Sequence, residues 1–148
     1  QSIHNRIKKE EMKKAILIFV ATLALSACDK VYINGDLDGM WKLESVVYPD
    51  STAMPDQIFY SFQRHLVQVS KHDGTELPKR FLGILDYRGE TLSMSKFYSF
   101  PQEKYPATTD MLKEFHLYND STVFQILTLD DNQLIMASGE RTYTLHKW

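Results

Sequence analysis

Few residues in this chain are equipped for chemistry. Cys28 is the single cysteine among 148 residues, so it has no intrachain disulfide partner. It closes an ordered stretch: Met12-Lys13-Lys14, an apolar run from Ala15 to Leu25, then Ser26-Ala27. A basic start, a short apolar core and small residues before a cut are the parts of a secretory signal. The run is too short to span a bilayer, which needs roughly 20 residues. The later histidines, His65, His72, His116 and His146, have neither the i, i+4 spacing of a helical metal site nor the two-residue spacing that shares a strand face. There is no HExxH, no Gly-x-Ser-x-Gly and no Gly-rich phosphate loop. Carboxylates are frequent, but Asp50, Asp73, Asp120, Asp130 and Asp131 fall in turn-like segments. The chain therefore reads as non-enzymatic, with no catalytic residues, cofactor or metal; a metal site assembled from distant strands stays open.

Leu25-Ser26-Ala27-Cys28 resembles a bacterial lipobox. That resemblance implies a diacylglycerol on the Cys28 sulfur, cleavage just before it and acylation of the new amino group. The alternative is an ordinary signal peptide whose cysteine is incidental. On the lipobox reading, residues 1–27 are signal, with 1–11 an upstream start artefact or a long n-region. Residues 28–38 are a lipidated tether, and 39–148 form the folded domain. Each buried methylene contributes about 0.8 kcal/mol, so two or three acyl chains give durable anchoring. Asp29 follows the cysteine, and the tether lacks a run of acidic residues. The expected location is the outer membrane, facing the periplasm.

The first 27 residues hold five of the 17 basic and two of the 19 acidic side chains, which leaves a net charge of −5 on the remaining 121 residues. That excludes nucleic acid, whose binding needs a basic patch, and adhesion to anionic lipid through a polybasic segment. The length fits one domain with its own core, expected to be monomeric.

From Gly39 the pattern has period two. Trp41, Leu43, Ser45 and Val47 fall on one face, with Lys42, Glu44 and Val46 on the other. Further strands are expected over 57–62, 65–72, 80–87, 91–98, 122–129, 133–138 and 141–148, with Gly83 marking a bend. Turns fall at 48–51, at His72-Asp73-Gly74-Thr75 and at Asn119-Asp120-Ser121. Thr108 or Thr109 can N-cap a short helix carrying Met111, Leu112 and Phe115. Eight short strands with one helix before the last three predict an all-β, antiparallel up-and-down barrel.

Gly39-Met40-Trp41 opens the first strand, and Arg141 and Lys147 lie on the last. This resembles the lipocalin pattern, in which the Trp of a Gly-x-Trp closes one barrel end beneath an Arg or Lys from the last strand. A cation over an indole contributes about 0.5–2 kcal/mol. Together with the lipobox, the tether and the ending Phe124-x-Ile126-x-x-Leu129, Leu134-Ile135-Met136, Tyr143-x-Leu145, residues 36–148 resemble the lipocalin-like domain lipoproteins of Bacteroidota. That implies a membrane partner through the anchor and a small apolar or amphipathic ligand. The departures, a shorter chain and no disulfide cysteines, argue against a large ligand cavity.

Aromatics concentrate in the middle third. They either fill the barrel or line a pocket at its mouth. For the pocket, alternation selects Tyr60, Phe62, Phe81 and Tyr87 as inward, joined by Met94 and Met111, with the 97–105 loop and the 109–117 helix as its lid. A one-residue register slip inverts that set. The rival function is a structural or interaction module with a filled barrel. Asp50-Ser51-Thr52 and Asp120-Ser121-Thr122 resemble the O-glycosylation acceptors of exported Bacteroidota proteins, which makes Ser51 and Ser121 candidate acceptors.

Overall fold

The computed structural model describes residues 8–11, 13, 33–74, 78–101 and 104–148. Cys28 and the apolar run before it, like Thr75 of the Asp-Gly turn, lie outside the described residues. The chain divides into two compact units, 1–31 and 32–148. In the first, residues 8–11 and 13 are helical; the second is described below.

Nine strands are found among the described residues: β1 (Gly39–Val47), β2 (Thr52–Ala53), β3 (Ile58–Gln63), β4 (Leu66–Lys71), β5 (Lys79–Tyr87), β6 (Thr91–Ser99), β7 (Ser121–Leu129), β8 (Gln133–Ser138) and β9 (Arg141–Lys147). From β3 to β9 each pairs antiparallel with the next, and β1 pairs with both β3 and β9. The result is a closed barrel of eight strands. The two-residue β2 is extra, pairing only with Val46 and Val47 at the far end of β1. One helix, α1 (Thr109–Leu112), runs into a 3-10 turn over Lys113–Phe115 between β6 and β7. Turn chemistry sets the hairpins. Between β7 and β8 the Asp130 carboxylate accepts the N–H groups of Asn132 and Gln133, each at 2.8 Å. Those bonds hold its pKa below the usual carboxylate range.

Three bulges correct simple alternation. In β1 the register against β9 slips between Leu43 and Ser45, so Glu44 is the extra residue. Val46 therefore turns inward, fully buried, and Val47 outward, the reverse of the alternation read from sequence. Between β5 and β6 the slip lies at Gly83, opposite Lys96 and Phe97. A Cβ on Gly83 would stand 2.8 Å from the Phe97 ring and 2.9 Å from the Ser95 carbonyl oxygen, so glycine is needed for this close approach. The third bulge places Leu127 on the outside of β7.

Inward side chains fill the barrel. Trp41, Leu43, Tyr60, Val67, Val69, Met94, Phe124, Leu134, Met136, Tyr143 and Leu145 are all at 0% exposure in one cluster. A side chain lining a ligand-sized void would expose surface to it, so these leave no ligand-sized space beside them.

The floor is closed from residues 34–38, read from sequence as tether. They form a 3-10 turn, Gly35–Leu37, whose Leu37 is fully buried. Trp41 Nε1 donates to the Leu37 carbonyl at 2.8 Å. The Asp38 carboxylate accepts from the Asn34 backbone and side chain at 3.2 and 2.8 Å. Lys147 Nζ lies 4.4 Å from the Trp41 ring centroid and donates to the carbonyls of Asp36, at 3.0 Å, and Asp38. Gly39 (φ +124) has Lys147 Cε and Nζ 3.0 Å from where its Cβ would be. A larger residue would displace the lysine from the indole. Arg141 is not part of this closure. It stands at the other end of β9, 4.6 Å over the Tyr118 ring.

Candidate functional site

The mouth is the opposite end, where β1, β4 and β6 finish and β5 and β9 begin. Thr108 N-caps α1 there, its hydroxyl accepting the Met111 N–H at 3.3 Å. The helix lays Leu112 and Phe115 into the barrel and leaves Met111 outside. Phe115 meets Phe81 edge-on, with centroids 5.7 Å apart. The turn ends at His116 in the left-handed region (φ +61).

Tyrosines pin this turn. Tyr60 donates to the Phe115 carbonyl, and Tyr143 to the His116 carbonyl at 2.5 Å. The Tyr48 hydroxyl meets His116 Nδ1 at 2.6 Å and the Tyr118 hydroxyl at 2.5 Å. Burial pushes the Tyr143 phenol up to about 12 and raises those of Tyr48 and Tyr60 as well. Burial also lowers the His116 imidazole. Tyr48, Tyr60, Tyr143 and His116 are thus each biased toward the neutral form, and neutral hydrogen bonds close the barrel here.

An open cleft of about 590 Å³ lies beside that closure. The start of β5 supplies Lys79, Arg80 and Phe81. The loop after β6 supplies Phe100, Pro101 and Tyr105, the helix supplies Met111, and the 3-10 turn after it supplies Glu114. The loop is held by paired bonds between Ser99 and Tyr105: backbone N–H to carbonyl at 2.9 Å, and Tyr105 N–H to the Ser99 hydroxyl at 3.1 Å. Phe100, Tyr105 and Met111 are 38%, 42% and 38% exposed, so apolar surface faces water across the cleft. Lys79 and Glu114 pair at 3.0 Å on its rim.

Of the pocket set named from sequence, Phe81 and Met111 reach the cleft. Tyr60, Phe62 and Met94 do face inward, as core. Tyr87 is half-buried at the floor end of β5. Ser51 is exposed in the turn after β1, and Ser121 is exposed as the first residue of β7. Among the described residues no three of His, Cys, Asp or Glu come together to hold a metal. Arg80, Lys79 and Glu114 were missed as cleft residues. They look like ordinary solvent-facing charges in a strand and a helix. The Tyr48–His116–Tyr118 contact joins segments about 70 residues apart, and no local pattern announces it.

An eight-stranded antiparallel barrel, closed at its floor by a lysine-covered tryptophan and at its mouth by a helical turn, is lipocalin-like in architecture. Residues 23–148 match the lipocalin-like domain family, and the chain belongs to that family. It resembles the crystal structure of a lipocalin-like protein from Bacteroides uniformis, with a TM-score of 0.61 and 20% identity over 77% of this chain and 100% of the other. It also resembles an uncharacterized protein from Bacteroides eggerthii, with a TM-score of 0.61 and 17% identity over 76% of this chain and 99% of the other. At these identities the likeness speaks for the fold. No curated protein matches the sequence.

Proposed function

We propose that this protein is a non-enzymatic, monomeric binding barrel that takes a small apolar or amphipathic molecule in the cleft at its mouth. The cleft carries the reading: it offers exposed aromatic and methionine surface in a volume typical of small-molecule sites, next to an interior its own side chains occupy. Titrating a Cys28→Ser chain with fatty acids, bile salts, haem and glycans, read by thermal shift, tests it. At least one amphiphile should stabilise the fold, and Met111→Asp should abolish the effect. A panel without any response refutes it. The filled interior favours a second reading, an envelope interaction module, which that silent panel would leave standing.

The proposal places the barrel on the outer membrane facing the periplasm, held by acyl chains on Cys28. Lys13-Lys14, the apolar run and Leu25-Ser26-Ala27-Cys28 support the anchor. Labelled palmitate should enter the wild-type protein and not Cys28→Ala; equal labelling of both would remove Cys28 as the anchor.

A further inference from the structure

Arg80 holds the one described buried side-chain polar atom with no hydrogen-bond partner, its Nε. It lines the mouth cleft. A guanidinium carries five N–H donors and no acceptor, and buried polar groups are paired in the great majority of folded proteins. Nε itself is shut off from solvent, but Arg80 as a whole is half-buried and lines the open cleft, so its guanidinium is the group that an acceptor arriving from outside would meet.

The charge around it points the same way. Ion pairs among the described residues join Lys79 to Glu114, Arg88 to Asp86 and Lys113 to Asp110. The cleft's other cation is thus matched by the cleft's carboxylate, and Arg80 has no such partner. Its planar fork suits the geometry of a carboxylate or phosphate. The apolar wall of Phe81, Phe100, Tyr105 and Met111 belongs to the same cleft. Beyond Cys28 the chain is net negative, so any preference for anions has to come from a local donor and not from the overall field.

We propose that the mouth cleft selects amphiphiles bearing an oxyanion head group, with Arg80 binding the head and the aromatic–methionine wall the apolar body. This rests on the cleft being the binding site, and the test separates the two ideas. The full chain carrying Cys28→Ser is titrated calorimetrically with decanoate, decyl phosphate and decan-1-ol, alone and with Arg80→Met.

The expected result is about tenfold or tighter binding of at least one anion over the alcohol, as for hydrogen bonds to charged groups. Whichever anion binds tighter names the head group. Arg80→Met should bring all three probes within about twofold of one another and leave decan-1-ol binding unchanged. It should also leave the melting temperature unchanged or raise it, because an unpartnered buried polar group is removed. The alcohol binding as tightly as both anions overturns the head-group assignment and leaves the cleft standing. So does an Arg80→Met variant that keeps the anion preference. Loss of decan-1-ol binding together with a lower melting temperature makes Arg80 structural and overturns the assignment as well. If none of the probes binds, the cleft reading falls with it.

Discussion

Lys147→Met isolates the closure of the barrel floor. The substitution keeps most of the side-chain stem and deletes the ammonium. In the native barrel Nζ donates to two carbonyls, those of Asp36 and Asp38, and sits 4.4 Å above the Trp41 ring. A hydrogen bond from a charged group is worth about 1.5–3 kcal/mol, and the cation–π contact about 0.5–2 kcal/mol. The full sum overstates the loss, because the lysine is only part-buried and because burial pulls its pKa down, offset by Asp36, Asp38 and Asp131. A net loss of about 2–3 kcal/mol is expected, which for a domain of this size lowers the melting temperature by roughly 10 °C. Urea unfolding followed by far-UV circular dichroism reads this directly. A double-mutant cycle with Trp41→Phe should return a coupling of about 0.5–2 kcal/mol. A Lys147→Met loss below about 0.5 kcal/mol, or a coupling near zero, would refute the role assigned to the lysine.

Other substitutions probe the bulge and the mouth. Gly83→Ala forces a Cβ against the Phe97 ring and the Ser95 carbonyl and should cost about 1–3 kcal/mol in urea unfolding; an unchanged midpoint would mean the strands part freely there. Tyr143→Phe removes the donor to the His116 carbonyl. It should cost about 1 kcal/mol and speed amide exchange across 112–117; normal protection there would show that the turn is held by other means. His116, with its pKa lowered by burial, favours the neutral imidazole in the folded state. Its stabilisation is fully present above the unfolded pKa of about 6.5 and is lost as pH falls from there toward the lowered folded value. His116→Asn, which tolerates the left-handed backbone, should flatten the stability profile in that window. An unaltered profile would assign the loss to other groups.

The eight barrel strands, their antiparallel order, the capped helix and the inward side of β3 to β6 were legible in the sequence, because period-two patterning and turn residues encode them locally; the two-residue β2 was not. Bulges were not. Glu44 is polar on a strand whose alternation appears unbroken, and only pairing with β9 shows that it is skipped and that Val46, not Val47, goes inside. The lysine over Trp41 came from a family resemblance that left Arg141 and Lys147 as equals. The register of β9 separates them, pairing Lys147 with Trp41 and Arg141 with Ser138. Inward-facing also proved to mean packed. Tyr60, Phe62 and Met94 point to the barrel axis and fill it, and which aromatics stay exposed depends on where the helix lies across the mouth. Arg80 carries no local signal, since its unpartnered nitrogen is a property of the assembled cleft.

Chemical-shift mapping tests the binding site most directly. The two indoles are built-in reporters: Trp41 at 0% exposure in the interior and Trp148 at 70% outside. On titration with decanoate, backbone shifts should concentrate at Lys79, Arg80, Phe81, Phe100, Tyr105 and Met111, while the Trp41 indole signal stays in place. Movement of the Trp41 indole with the interior strands, or no movement at the mouth at saturating ligand, would contradict a site in the cleft.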